Sequence, residues 1–203
     1  MAARPKRLGA AILLLAIAVA SLAAVATSGG RAITPRAPNP RPAPAQANAT
    51  AAAGSATRFS FLARQTSNSC GLEPTALERM PDSRHLQGSC CSPMSLSAYR
   101  SQVRGLRAYA SVPQIPADPY DIQVSLAKRL LAYDRTIRLD PAQSRVYTRA
   151  MRMSREKGPC CCHCWRWNAF RGLSKHLIAD VGWRPRAVAA VIDLVEGCGG
   201  PLD

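Results

Sequence analysis

Apolar residues spaced three or four positions apart dominate the second half of the chain, which is the pattern of amphipathic helices. Turn-forming prolines at Pro113, Pro116 and Pro119 separate the first two such runs. The apolar positions of these runs are Leu96, Tyr99, Val103 and Leu106, then Ile122, Leu126, Leu130 and Tyr133. The pattern predicts one helix on each side of the proline-rich turn.

Capping and stop residues predict three more helices towards the C-terminus. Asp140 followed by Pro141 is a helix start, because Asp accepts hydrogen bonds from first-turn amides and Pro has no N–H to leave unpaired. Gly158 and the proline after it end this third helix. A fourth helix is expected over residues 165–179, and a fifth ends at Gly197.

These runs predict an all-α fold, a cysteine-rich bundle of about five helices over residues 93–203. No segment sustains an alternation of apolar and polar residues between turn signals, so no sheet is predicted. Residues 59–92 hold three of the eight cysteines among Gly, Pro and Ser, which predicts a loop-rich approach to the bundle. Residues 28–58, rich in Pro and Ala, are predicted to form a disordered linker.

Residues 1–27 are predicted to be an export signal or a membrane anchor. Three basic residues precede an unbroken apolar run over residues 8–26. This run is longer than the ~7 to 15 residues of an ordinary signal core and close to the roughly 20 that span a bilayer. Ala24 and Ala26 also permit cleavage, so a retained anchor and a cleaved signal both stay open. In either case we expect the cysteine-bearing part outside the cytoplasm, secreted or tethered to a membrane.

The formal net charge of +15 is unevenly divided along the chain. Residues 1–58 carry basic residues and no acidic residue, so the remainder is only moderately basic. Three arginines at helical spacing, Arg145, Arg149 and Arg152, form either a solvated helix face or a site for an anionic partner. An exported chain rarely meets nucleic acid, so no nucleic-acid partner is predicted.

Soft metal ligands are concentrated in residues 159–164, which have the sequence PCCCHC. Half of the cysteines lie there beside His163, and Trp165 and Trp167 follow directly. Packing needs only one or two small apolar residues on the buried side of a turn, so it does not account for this density. The two tryptophans are expected to be core residues or a shield for a metal. The chemistry of the chain is therefore predicted to be that of thiols.

The first interpretation of the motif is a soft-metal site for Cu(I) or Zn. Adjacent and alternate cysteines suit Cu(I), whose low coordination number lets two nearby sulfurs bind without completing a tetrahedron. Zinc pairs are usually two to four residues apart, a spacing that only Cys161 and Cys164 satisfy. The predicted metal ligands are Cys160, Cys161, Cys162, His163, Cys164, Cys198, Cys90 and Cys91.

Two other interpretations stay open. In an oxidising compartment the clustered cysteines could pair with Cys70, Cys90, Cys91 and Cys198, giving a disulfide-stabilised interaction module without metal. Residues 161–164 also form a CxxC, which suggests a thiol-disulfide redox protein, although no βαβ pattern surrounds it. No nucleophile with an orienting base is evident, so no other catalysis is predicted.

The spacing PCxCxC over residues 159–164 resembles the PCYCGC-motif family of exported bacterial proteins, many of them lipoproteins. The shared context is a signal segment, a polar linker, a helix before the motif and a later cysteine. The chain has Cys161 where the family has Tyr and His163 where it has Gly, and no lipid-attachment cysteine follows its apolar run. The resemblance implies an extracytoplasmic, metal-associated protein of bacterial type.

Three residues outside the motif, Met80, His85 and Met94, are also usable as metal ligands. Packing or surface exposure explains each of them equally well. His176 lies on the predicted fourth helix beside Lys175 and is expected at the surface or its boundary.

Overall fold

The computed structural model describes residues 44–200, which are mainly helical. The predicted export segment and residues 28–43 of the predicted linker lie outside the described residues. The helices are α1 (Pro44–Ala49), α2 (Ala56–Leu62), α3 (Pro74–Glu78), α4 (Leu96–Leu106), α5 (Val124–Thr136), α6 (Pro141–Met153), α7 (Trp165–Ala179) and α8 (Pro185–Val195). A 3-10 turn, Arg107–Tyr109, continues α4, and the strands are β1 (His85–Gln87) and β2 (Asp121–Gln123). The predicted helical class is confirmed.

The small sheet is the main difference from the sequence prediction. Strands β1 and β2 pair antiparallel, with Leu86 opposite Ile122. Ile122, predicted as a helix position, therefore lies in β2 just before α5. Each strand has three residues, which is too short for alternation to be visible in the sequence. Helix also forms in residues 44–58, where α1 and the start of α2 fall within the segment predicted as linker.

Helix α7 packs along α5 at the centre of the main core. The two backbones touch at Gly172, where an added Cβ would lie 2.0 Å from the carbonyl oxygen of Leu130. The largest buried apolar side chains of this pair are Leu130, Leu131, Trp165, Phe170, Leu173 and Leu177. This tight pairing fixes the position of α7, whose first residue, Trp165, directly follows the PCCCHC motif.

Helix α6 packs against α8 and begins as predicted. Asp140 accepts a 2.8 Å hydrogen bond from the amide of Gln143, whose side chain accepts one in return from the Asp140 amide. This capping box satisfies amides that the first turn cannot pair internally. Pro141 occupies the first turn, where its missing N–H costs nothing.

A buried polar network connects α4 to the residues after α8. The side-chain amide of Gln102 donates a 2.6 Å hydrogen bond to the carbonyl oxygen of Glu196. Tyr120 donates to Gln102 in turn, and its ring packs edge-on against Tyr99. These contacts hold the chain just before Cys198, the cysteine nearest the C-terminus.

Within residues 44–200 no helix is both long enough and apolar enough to cross a membrane.

Candidate metal centre

All eight cysteines of the chain lie in one connected group of sulfur atoms, which we call the thiol cluster. They are free thiols. The closest pairs join Cys70 to Cys91 at 2.8 Å and Cys70 to Cys162 at 2.9 Å. The other contacts, 3.4 to 3.8 Å long, join Cys90 to Cys91 and Cys198, Cys91 to Cys161 and Cys162, Cys160 to Cys198, and Cys162 to Cys164. No pair is at the roughly 2.04 Å of a disulfide bond.

Backbone pairing brings three distant segments to the cluster. The amide of Cys90 donates to the carbonyl oxygen of Gly197 at 3.0 Å, and the amide of Ser92 donates to that of Cys198 at 2.7 Å. Cys70 joins the same ladder, since its amide donates to the carbonyl oxygen of Cys90 at 3.4 Å. Cysteines far apart in sequence are thus held side by side by main-chain hydrogen bonds.

The fourth segment is the PCCCHC motif, which lies in the turn between α6 and α7. Buried Ser154 ends α6 and donates to the carbonyl oxygen of Met151 at 2.9 Å. Gly158 passes under the indole of Trp167, where an added Cβ would be 2.9 Å from the ring. The amide of Trp165 reaches the carbonyl oxygen of Leu72 at 3.4 Å, which ties the start of α7 to the Cys70 segment.

The cluster has a buried side and an exposed side. Cys160, Cys164 and Cys198 are at most 7% exposed, whereas Cys91 and Cys161 lie at the surface. The remaining three, Cys70, Cys90 and Cys162, are partly buried between them. A bound ion would therefore be held from inside and approached from one side only.

Electrostatics favour ionised thiols at two of the three buried cysteines, Cys160 and Cys198. Hydrogen bonds from the thiols of Cys160 and Cys90 lower the pKa of Cys198 far below that of an ordinary thiol. The contact with Cys164 is the main cause that lowers the pKa of Cys160 to about 6. The pKa of Cys90 is raised, because its proton is shared with Cys160 and Cys198. The hydrogen bond with Cys160 and burial raise the pKa of the third buried thiol, Cys164. Thiolate is the form that binds metal, so Cys160 and Cys198 are the buried thiols prepared for a cation.

A buried arginine lies behind these thiols. Arg166 is fully buried, and its Nη2 donates to the carbonyl oxygens of Val195 at 2.6 Å and Pro119 at 3.1 Å. Its Nε and Nη1 have no hydrogen-bond partner among the described residues. The positive charge contributes to lowering the pKa of Cys160, and it also acts to lower that of Cys90.

The sulfur atoms form four overlapping groups that could each hold a metal ion. Within each group, the ligand atoms all lie within 4.8 Å of one another. One group has four thiols, Cys70, Cys90, Cys91 and Cys162. The other three groups are Cys90, Cys160 and Cys198, then Cys91, Cys161 and Cys198, then Cys160, Cys161 and Cys162. A tetrahedral zinc site with Zn–S bonds of about 2.3 Å places its sulfurs about 3.8 Å apart. The longer contacts of the cluster are close to that separation.

Two predicted ligands lie outside these groups, and one cysteine inside them was not predicted. The ring of His163 packs on that of Trp167 with 3.9 Å between centroids, and Cys164 contacts Cys162 at 3.5 Å. Cys70, which sequence reasoning treated only as a disulfide partner, belongs to the four-thiol group. The only signal for it was its identity as a cysteine in the segment that also carries Cys90.

The other candidate ligands have different partners. Met80 and Met94 pack against the two apolar clusters of the core. His85 pairs through Nδ1 with Asp121 at 2.8 Å, and His176 pairs with Asp180 at 2.7 Å. The arginines of the predicted α6 stripe, Arg145, Arg149 and Arg152, are all exposed.

The geometry defines a class of site, a thiol cluster able to hold metal. No protein-family model, no curated protein and no solved structure matches the chain. The resemblance to the PCYCGC-motif family stays a prediction from the motif.

Proposed function

We propose that this chain is an exported soft-metal-binding protein that takes up Cu(I), or alternatively Zn, for sequestration, delivery or structural stabilisation. The observation that carries the proposal is the convergence of thiols from four separate segments on one site. Thiolates held this close together repel one another unless a cation or a covalent bond compensates. Their free state and the contacts of 3.4 to 3.8 Å among them support the cation.

The size of the ligand groups favours Cu(I) over Zn. Three of the four groups offer three thiols, which suits the low coordination number of Cu(I). Zinc in structural sites takes four ligands, which only the group of Cys70, Cys90, Cys91 and Cys162 provides. That group supports the alternative in which one Zn ion binds there.

The thiol cluster has buried sulfurs on one side and exposed sulfurs on the other, which fits storage of an ion together with its exchange. Sulfur atoms at the surface, Cys91 and Cys161, would be the first to meet an incoming ion or the thiols of a partner. The buried sulfurs would then retain the ion away from water. Sequestration and delivery both need this combination, whereas a purely structural site needs no exposed ligand.

Metal analysis combined with thiol counting tests the proposal. The full chain is purified without oxygen in a mild detergent, because residues 8–26 are apolar. Bound copper and zinc are measured by elemental mass spectrometry, and free thiols by alkylation after metal removal. We expect stoichiometric metal and eight alkylated cysteines. A metal-free protein with its cysteines joined in disulfides would instead establish the disulfide-stabilised interaction module. Rapid thiol exchange with a model disulfide, lost in Cys161→Ser, would favour the redox alternative.

A further inference from the structure

We infer that the thiol cluster binds four Cu(I) ions in one thiolate-bridged assembly, with buried Arg166 as its counter-charge. This inference rests on the proposed soft-metal function and adds the number of ions, the bridging ligands and the charge that balances them. Its basis is the way in which the four ligand groups overlap.

Each pair of groups shares one cysteine. The four-thiol group shares Cys90, Cys91 and Cys162 with the three other groups in turn. Those three share Cys198, Cys160 and Cys161 among themselves. Six cysteines therefore belong to two groups each, and Cys70 belongs to one. Four sites joined pairwise by six shared ligands have the connectivity of a tetrahedron, with an ion at each corner and a sulfur along each edge.

The sulfur contacts agree with this connectivity. In such an assembly, two thiolates that bind a common ion are neighbours, and two that share no ion lie across the assembly from each other. The contacts Cys90 to Cys91, Cys90 to Cys198 and Cys160 to Cys198 all join sulfurs of a common group. The contacts of Cys91 with Cys161 and Cys162 do so as well. No contact within this set of six joins a pair that shares no group.

The coordination numbers select the metal. Three corners are three-thiol groups, and the fourth has its three shared thiols plus Cys70 as a terminal ligand. Cu(I) accepts three sulfur ligands, whereas Zn at the same corners would lack a fourth. Four monovalent ions do not neutralise six bridging thiolates and the terminal Cys70, so the assembly keeps negative charge.

Arg166 is placed to balance that charge. Its guanidinium packs against Gly197, the residue before Cys198, where an added Cβ would lie 2.3 Å from Nη2. The rings of Trp165 and Phe170 lie 5.4 and 4.8 Å from the guanidinium carbon and stabilise its charge in part. A fully buried cation with two nitrogens lacking a hydrogen-bond partner still carries a desolvation cost. A negatively charged cluster beside it removes that cost and gains stability in return.

A stoichiometric Cu(I) titration of the reduced full chain, followed by native mass spectrometry, tests the ion count. We expect the chain to pass from the metal-free species to the four-copper species with little accumulation between them, because each bridging thiolate binds two ions. X-ray absorption should show copper with three sulfur ligands at three of the four sites, and copper neighbours. Tight binding of a single ion would refute the four-ion assembly and leave the proposed function standing. Failure to bind copper or zinc at all would overturn both.

Cysteine-to-serine variants separate bridging from terminal roles. Cys91→Ser should lose the four-copper species, since Cys91 joins two corners. Cys70→Ser should keep four ions, because Cys70 serves one corner that has three other thiols. His163→Gln is the control, a residue of the PCCCHC motif that belongs to none of the groups and stacks on Trp167, and it should also keep four ions. Equal losses in all three variants would contradict the assigned bridges.

Variants of Arg166 test the counter-charge. Arg166→Met removes the charge, and we expect retention of copper against a competing chelator to weaken by on the order of tenfold. Arg166→Lys keeps the charge but loses the guanidinium whose Nη2 donates to two carbonyl oxygens, and it should restore most of the retention. Arg171→Met, on the same helix but paired with Asp134, is the control and should leave retention unchanged. If Arg166→Lys and Arg166→Met lose copper equally, the role of Arg166 is structural.

Discussion

At the scale of single residues, the thiol cluster depends on a glycine that lets two chain segments touch. Gly199 has φ of +84°, and an added Cβ would lie 2.1 Å from the carbonyl oxygen of Ser92. The main-chain hydrogen bonds that place Cys90 beside Cys198 join the same two segments, since the amide of Ser92 donates to the carbonyl oxygen of Cys198. Gly200 has a nearly equal φ of +82°, but no atom lies within 4 Å of a Cβ there. The two positions thus differ in crowding and share the same backbone conformation.

We predict that Gly199→Ala destabilises the protein by about 3 kcal/mol and weakens copper binding, because the clash with Ser92 adds to backbone strain. Gly200→Ala should cost only about 1 kcal/mol, the strain of a left-handed conformation. Urea unfolding of both reduced variants, together with copper titration, measures the difference. Equal destabilisation in the two would mean that the segment yields to the clash by moving.

The sequence was informative about single residues where their neighbours in the chain determine their role. The Asp140 cap follows from a local hydrogen bond, and it was predicted correctly. The side chain of His163 could not be assigned in this way, because its direction depends on stacking with Trp167 one turn into α7. Cys70 was missed for a similar reason, since its closest sulfurs, Cys91 and Cys162, are distant in sequence.

At the scale of elements, α5 and α7 are joined by a buried ion pair as well as by packing. Asp134 on α5 is 6% exposed and accepts two 2.6 Å hydrogen bonds from Arg171 on α7. Lys175, one turn further along α7, lies 2.9 Å from the same carboxylate. Burial alone would raise the pKa of Asp134, but the hydrogen bonds from Arg171 and Lys175 outweigh it and lower the pKa overall.

This lowered pKa predicts a stability contribution that depends on pH. A carboxyl whose folded pKa lies below its unfolded value of about 3.9 stabilises the fold above that value. The contribution is lost as the pH falls through the folded pKa. At pH about 7, Asp134→Asn should therefore reduce the free energy of unfolding by roughly 1 to 3 kcal/mol. The effect is no larger because Arg171 is partly exposed, and solvent screens its charge.

Urea unfolding of the reduced, metal-free chain at neutral and acidic pH measures this effect. The gap between wild type and Asp134→Asn should narrow on acidification, whereas Asp180→Asn is the control. Asp180 is an exposed carboxyl that pairs with His176 near the end of α7, and its replacement should have a small effect at neutral pH. A gap that stays constant with pH would show that the Asp134 variant acts through packing alone.

Elements were predictable from sequence to the extent that they are long and periodic. Helix α7 occupies the predicted residues, and α8 begins and ends near its predicted limits. Strands β1 and β2 have too few residues to display a period, and they form because Leu86 and Ile122 become buried against the core. Their pairing depends on tertiary contacts, which no local sequence pattern predicts.

At the scale of the whole molecule, metal binding and folding should be coupled, because the ligands come from segments far apart in the chain. Cys70, Cys90 and Cys198 meet only when the backbone ladder between their segments forms. Residues 160–164, by contrast, keep their thiols close together even in an unfolded chain. An ion bound through all segments therefore stabilises the native state, whereas an ion bound to the motif alone stabilises both states.

We predict that copper loading raises the melting temperature of the full chain. A ligand at 100 times its dissociation constant adds about 2.7 kcal/mol if it binds only the native state. For a chain of this size that corresponds to a rise of roughly 5 to 10 °C. Differential scanning calorimetry of loaded and chelator-treated protein under anaerobic conditions measures it, and removal of the metal should reverse the rise.

The matched variant for this experiment is Cys198→Ser, which leaves the local motif complete but removes one sulfur that contacts both Cys160 of the motif and Cys90. Its melting temperature should respond much less to copper, even where some metal still binds at residues 160–164. An equal rise in wild type and variant would place the stabilising ion in a group that lacks Cys198, either the four-thiol group or residues 160–162. The difference between the two proteins therefore measures how much of the binding free energy holds the Cys198 segment to the others, since both retain the same local thiols.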